Sequence, residues 1–176
     1  MKKLKLEELG RISIDEFKDS VKLPVCLLLD NIRSLHNVGS AFRIADAFRL
    51  EKIFLAGITG KPPHREIHKT ALGATESVAW EYIESANKKV HDLKLENYKI
   101  VVVEQTTASK PLHLFQPEAG VKYCFVFGNE VHGVSEEVIK QADLALEIPQ
   151  IGTKHSLNIS VCLGIVVWEV FRKLNL

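Results

Sequence analysis

Six short apolar runs, separated by helix-patterned or loop sequence, restrict this chain to an α/β architecture. They are "VCLLLDNI" (residues 25–32), "KIFLAG" (52–57), "VAWEYI" (78–83), "KIVVVEQT" (99–106), "KYCFVFGN" (122–129) and "LALEIP" (144–149). Most lack the strict in/out alternation of a half-exposed strand, so they read as strands covered on both faces. Helical spacing predicts helices over residues 37–49, 67–72, 85–97, 135–142 and 156–174. Strands alternating with helices imply a mostly parallel sheet with helices on both faces. At 176 residues, 46% of them hydrophobic, the chain fits one domain with a core of its own. No internal repeat or linker points to a second, and "GITGKPPHRE" (57–66) reads as a surface loop.

In open α/β sheets, ligands bind beyond the carboxyl ends of the strands. Three loops at such ends concentrate Gly, Asn, Ser and charge: "DNIRSLHNVG", "FGNEVHG" and "IPQIGTKHSLN". In the helix that follows the first, about 100° per residue puts Val38, Ala41, Phe42, Ala45 and Phe48 on a core-facing stripe. Arg43 falls opposite, with Gly39 one turn earlier leaving that face bare for something to approach. A single arginine on an exposed helix is more often merely solvated. Asn37 and the free amides of the first turn also offer a place for a phosphate. In "FVFGNEVHGVSEE", two glycines bracket Glu130 and Ser135 can cap a helix, although an acid in a loop by itself more often pairs with a neighbour. In the third loop Ser156 is a natural cap, while Asn158, in the first turn of a nearly apolar helix, needs another partner.

Several function classes are excluded or uninformed. Lys and Arg total 23 against 22 acids, so net charge says nothing about a nucleic-acid partner. Val134 stands where a P-loop requires lysine, and no GxGxxG fingerprint occurs. Cys26, Cys124 and Cys162 lie singly in apolar runs and read as reduced thiols in a cytoplasmic protein. The start, "MKKLKLEELGR", lacks the apolar block of a signal peptide, and the longest apolar run is too short to cross a membrane. Seven scattered histidines form no zinc pattern, so no metal is expected; His132 and His155 lie in the site loops and read as RNA-facing at most.

The motifs "NIRSLHNVGSAFRIADAF", "FVFGNEVHGVS" and "IPQIGTKHSLNISVCLGIVVWEV", in that order, resemble those of the SpoU (TrmH) branch of the SPOUT superfamily. These are S-adenosylmethionine-dependent RNA 2′-O-ribose methyltransferases. The resemblance runs from residue 24 to residue 176 and leaves residues 1–23 as a short amino-terminal extension. It implies an α/β domain with a deep carboxyl-terminal trefoil knot, a rare exception to the rule against threaded chains, and a homodimer. It implies that Asn37, Arg43, Glu130, Ser156 and Asn158 are catalytic. The cofactor would lie against Thr106, Gly128, Asn129, Glu130, Ile148, Gly152, Ser156 and Leu157. Apart from the resemblance, Arg33, Lys61, Arg65 and Lys69, with Arg43, are candidate RNA contacts by charge, and an ordinary solvated surface explains any single lysine or arginine about as well. Arg49 departs from the pattern, standing where many members place a helix-ending glycine.

Transfer from a sulfonium needs no metal; the obstacle is the weakly nucleophilic hydroxyl. The resemblance implies help from Arg43, and because guanidinium holds its proton, a phosphate clamp and stabiliser of developing negative charge suits it better than a base. With no large amino-terminal RNA-binding domain in view, transfer RNA is favoured over ribosomal RNA by analogy with short members. Two rivals stand: a SPOUT-fold RNA binder or chaperone that does not methylate, and a generic nucleotide-binding α/β enzyme.

Overall fold

The computed structural model describes residues 1–154 and 156–175. His155, a candidate RNA-facing residue, lies outside the described residues. Helices α1 (Ile14–Asp19), α2 (Leu35–Ala47), α3 (Arg65–Ala71), α4 (Ala74–Ser77), α5 (Ala86–Leu95), α6 (Glu136–Gln141) and α7 (Ile159–Asn175) surround a seven-stranded sheet. Its strands are β1 (Leu23–Asp30), β2 (Leu50–Ala56), β3 (Trp80–Ile83), β4 (Tyr98–Val103), β5 (Lys110–Pro111), β6 (Lys122–Phe127) and β7 (Leu144–Glu147). The order across the sheet is β3-β2-β1-β6-β4-β7-β5, and every pairing is parallel. The expected α/β class and all six expected strands are present. β5 was not expected, since two residues are too few to show a period.

The continuous apolar runs exist because both faces of the sheet are covered. Along β1, Val25, Leu27 and Leu29 turn to a core shared with α1, α2, α3, α4 and α7, while Cys26 and Leu28 turn to a second core under α5 and α6. Cys26 lies opposite Cys124 in register, both as buried thiols, and burial raises the Cys26 pKa further. The predicted stripe of α2 is the buried one at Val38, Ala41, Phe42 and Ala45. Phe48, at its carboxyl end, is partly buried against the same core and packs on Trp168 and Phe171 of α7, with ring centroids 6.1 and 5.2 Å away.

Local sequence explains the helix ends. "SIDE" opens α1 with a capping box: Ser13 Oγ accepts from the Glu16 amide at 3.2 Å, and Glu16 Oε2 accepts from the Ser13 amide at 2.7 Å. This seats Phe17 in the main core. The last helix begins at Ile159, not Ser156, because Asn158 is the cap. Its carbonyl takes the Cys162 amide at 2.9 Å, and its Oδ1 accepts from the Ser160 amide at 2.9 Å and the Ser160 hydroxyl at 2.6 Å. The face around Gly39, expected to be bare, is filled by α3: an added Cβ would lie 2.3 Å from the Ile67 carbonyl oxygen. The glycine serves close helix packing, not ligand approach. Among the described residues no helix is long and apolar enough to cross a membrane.

Candidate active site

β6 sits between β1 and β4, so the loops leaving β1, β6, β4 and β7 gather at one edge of the sheet. The loop after β6 is folded on itself by paired Asn129–Gly133 backbone hydrogen bonds of 2.9 and 2.8 Å. Gly128 must be glycine, since an added Cβ would lie 2.0 Å from the Val134 nitrogen. Asn129 fastens the loop: its Nδ2 donates to the Asn31 carbonyl at 2.7 Å, and its Oδ1 accepts from the Val131 and His132 amides. Ser135 holds the N-cap position of α6, but its hydroxyl donates to buried Asp30 at 2.8 Å and makes no side-chain cap bond.

Glu130 reaches from this loop to the start of α2. Its Oε2 accepts from the Arg33 amide at 2.9 Å, and its Oε1 from the Ser34 amide and Asn37 Nδ2, both at 3.0 Å. A carboxylate therefore occupies the place considered for a phosphate at the α2 amino end, where the helix dipole also favours it. Burial raises the Glu130 pKa, but the Arg33 amide, its own amide, the Ser34 amide and Asn37 outweigh it and hold the carboxyl below its usual range.

A cavity of about 440 Å³ opens beside this junction. Its floor and walls are Val103, Phe127, Leu146, Ile148, Leu157 and Cys162, and its polar rim includes Glu104, Gln105, Asn129, Glu130, Glu147, Ser156 and Asn158. Among the described residues three glutamates line it and no lysine or arginine does, so their field favours a cation. Glu104 is held by the Gln105 and Val134 amides at 2.9 and 3.0 Å, and Glu147 accepts from Ser109 Oγ at 3.0 Å. Burial, then Glu104, pushes the Cys162 thiol up to about 11, which keeps it neutral and unsuited as a nucleophile. Glu104 and Glu147 were not singled out from sequence; the signal available was an acid immediately ending or closing an apolar strand.

The cavity brings together Gly128, Asn129, Glu130, Ile148, Ser156, Leu157 and Asn158, with Asn37 one hydrogen bond behind Glu130. It does not include Thr106 or Gly152. Thr106 is turned into a local turn, its Oγ1 accepting from the Ala108 amide at 3.2 Å, and Gly152 is exposed with no atom within 4 Å of an added Cβ. Nor does it include Arg43, which is exposed and lines a separate cavity of about 630 Å³. Of the RNA-facing candidates, Arg33 and Arg65 are exposed, Lys61 lies 4.3 Å from the centre of the Tyr82 ring, and Lys69 pairs with Glu66 at 2.7 Å. Among the described residues no group of three or more His, Cys, Asp or Glu is placed to hold a metal ion.

The sequence model of the SpoU rRNA Methylase family matches residues 24–168. A Staphylococcus aureus (strain MSSA476) protein, assigned by name to the TrmH family of tRNA/rRNA methyltransferases, is 30% identical over 156 residues. The match covers 89% of this chain and 62% of that protein, so this chain spans about three fifths of its length. The crystal structure of an A. aeolicus TrmH/SpoU tRNA modifying enzyme is similar with a TM-score of 0.81 at 25% identity, over 91% of this chain and 80% of that one. An AdoMet-bound rRNA methyltransferase from Sinorhizobium meliloti shares the fold with a TM-score of 0.80 at 23% identity, over 90% of this chain and 60% of that one.

Proposed function

The chain belongs to the SpoU rRNA Methylase family, and on that premise we propose that it transfers a methyl group from S-adenosylmethionine to a ribose 2′-hydroxyl of RNA, with transfer RNA favoured over ribosomal RNA. The observation that carries this reading is the acid-rimmed, apolar-walled cavity bounded by the second and third motif loops. Its volume is in the range of small-molecule sites. Its residues fit the cofactor: apolar Val103, Phe127, Leu146, Ile148 and Leu157 offer walls for a purine, and the glutamates suit sulfonium and ammonium charge. S-adenosylmethionine supplies a methyl group already activated as a sulfonium. The chain's own residues have the tasks of binding and orienting. Glu130 fixes Asn37 and the β1–α2 loop, Asn158 fixes the mouth of α7, and Ser156 presents an exposed hydroxyl at the rim.

Arg43 clamps the RNA phosphate and stabilises charge developing on the ribose oxygen. Because it lies outside the cavity of its own chain, the reading includes a homodimer in which it faces the partner's cavity. An apolar strip on α7 supports this. Val161, Ile165 and Trp168 lie on one helix face at 50%, 38% and 47% exposure, beside the aromatic contact with α2. The reading also takes residues 24–176 as the transferase unit with a carboxyl-terminal knot, and it places the protein in the reducing cytoplasm. The preference for transfer RNA rests on the name of the A. aeolicus neighbour, which the chain matches over most of both lengths.

The test is transfer of labelled methyl from S-adenosylmethionine to separate transfer-RNA and ribosomal-RNA pools lacking ribose methylation. We expect label in the transfer-RNA pool, and an Arg43→Ala variant that binds cofactor normally but loses turnover by at least a hundredfold, the order of one electrostatic stabiliser. Cofactor binding without label in either pool would favour a silent RNA binder instead, and wild-type turnover in the variant would remove Arg43 from the chemistry.

A further inference from the structure

The cavity that Arg43 lines has a second wall made by the amino-terminal segment, which precedes the family-matched region. Residues 9–14 and Phe17 close it on one side, α2 and Arg49 form its base, and residues 71–74 and Ser77 form the opposite rim. Three guanidinium groups line it, those of Arg11, Arg43 and Arg49, and none has a carboxylate partner among the described residues. The one acid, Asp46, accepts the Ser77 hydroxyl. Its charge is thus opposite in sign to that of the acid-rimmed cavity.

The backbone supplies an independent observation. Among the described residues, four non-glycine positions have positive φ: Asn31, Arg49, Leu72 and Asn97. Asparagine tolerates this region; arginine and leucine do not favour it. Arg49 at φ 50° and Leu72 at φ 49° both line this one cavity. Both positions terminate a helix, α2 and α3, and Leu72 is 65% exposed, so the turn that ends α3 holds an apolar side chain at the rim without burial.

We propose that this cavity seats one nucleotide of a single-stranded RNA segment together with its flanking phosphates. Arg11 and Arg49 join Arg43 as the anion cradle, and Leu72 and Ile12 form an apolar lip against the base or ribose. The amino-terminal segment is then part of the substrate site and selects RNA in this chain. The inference rests on the transferase reading for the identity of the ligand as RNA.

Binding of a fluorescently labelled transfer-RNA pool to the full chain, titrated over salt, tests it. Each lost phosphate contact on single-stranded RNA lowers the slope of log K against log salt by about 0.7, so the Arg11→Ala/Arg49→Ala double variant should lose about 1.4. Its KM for RNA should rise while kcat and cofactor affinity hold, and the Arg11→Lys/Arg49→Lys variant should keep the slope. Ala47→Trp fills the cavity without altering charge and should weaken RNA binding. An unchanged slope in the double alanine variant, or parental affinity in Ala47→Trp, overturns the proposal. Should the double variant unfold, Ala47→Trp decides alone. Arginine-dependent RNA binding without methyl transfer would sink the transferase reading and uphold this one; methyl transfer with an arginine-independent slope would do the reverse.

Discussion

Glu130 works by being spent. Its carboxylate bonds to other residues all reach the segment that opens α2, so a residue lining the acid-rimmed cavity also sets where Asn37 and the β1–α2 loop lie. A hydrogen bond to a charged group contributes about 1.5–3 kcal/mol when shielded; discounted for solvent at this exposed residue, Glu130→Gln should cost about 1 kcal/mol at pH 7. The sign with pH follows from the lowered pKa. The folded carboxyl titrates below its ordinary value of 4.5, so its contribution is complete above that value and is lost as pH falls through the folded one. The difference between thermal melts of wild type and Glu130→Gln should therefore begin to shrink as pH falls below about 4.5 and vanish once the folded carboxyl is protonated; a difference that does not shrink in acid would show that the charge is not what holds the loop. Sequence marked Glu130 and Asn37 as polar residues in suggestive places. It could not show their contact, because 93 positions separate them and only the pairing of β1 with β6 closes that distance. Ser156 and Asn158 show the reverse error: both can cap, and which one does depends on where the incoming chain leaves the cavity wall.

At the scale of elements, the packing of α2 on α3 turns on Gly39. An alanine there gains up to about 1 kcal/mol of helix propensity, but its Cβ would lie 2.0 Å from Thr70 Oγ1 and 2.3 Å from the Ile67 carbonyl oxygen. Threonine can rotate away; the carbonyl cannot. Overpacking of this kind costs about 1–3 kcal/mol, so Gly39→Ala should be destabilised by about 1–2 kcal/mol in urea unfolding, and an unchanged midpoint would mean that α3 floats freely on α2. The long elements were legible because their periods are strong: six apolar runs became six strands, and the α2 stripe became its buried face. α4 and β5 were not, being too short for a period, and α1 was missed although "SIDE" carries its capping box. The face of α2 carrying Gly39 was misread as open because a missing side chain looks the same whether a ligand or another helix takes its place.

At the scale of the molecule, Arg43 lies outside the acid-rimmed cavity of its own chain, and the proposed chemistry therefore calls for a second subunit. If Arg43 acts across subunits, Arg43→Ala and the cavity variant Leu157→Arg, each inactive alone, should complement when co-expressed. Half of randomly paired dimers would carry one intact site of two, restoring about a quarter of wild-type turnover. No recovery from demonstrated heterodimers would place Arg43 in the site of its own chain. Sequence predicted a parallel α/β sheet but not its order, since pairing partners leave no trace in local periodicity. That order has a temporal side. β6 is bonded to β1 on one side and β4 on the other, so the middle of the sheet is the part made late in synthesis. Until residue 127 is available, β1 and β4 present two bare inner edges to whatever lies near, and edges of that kind recruit other chains. Chains released at residue 120 should scatter light at concentrations where the full chain does not. The centre of the finished sheet is, for the nascent chain, a gap that stays open until β6 arrives.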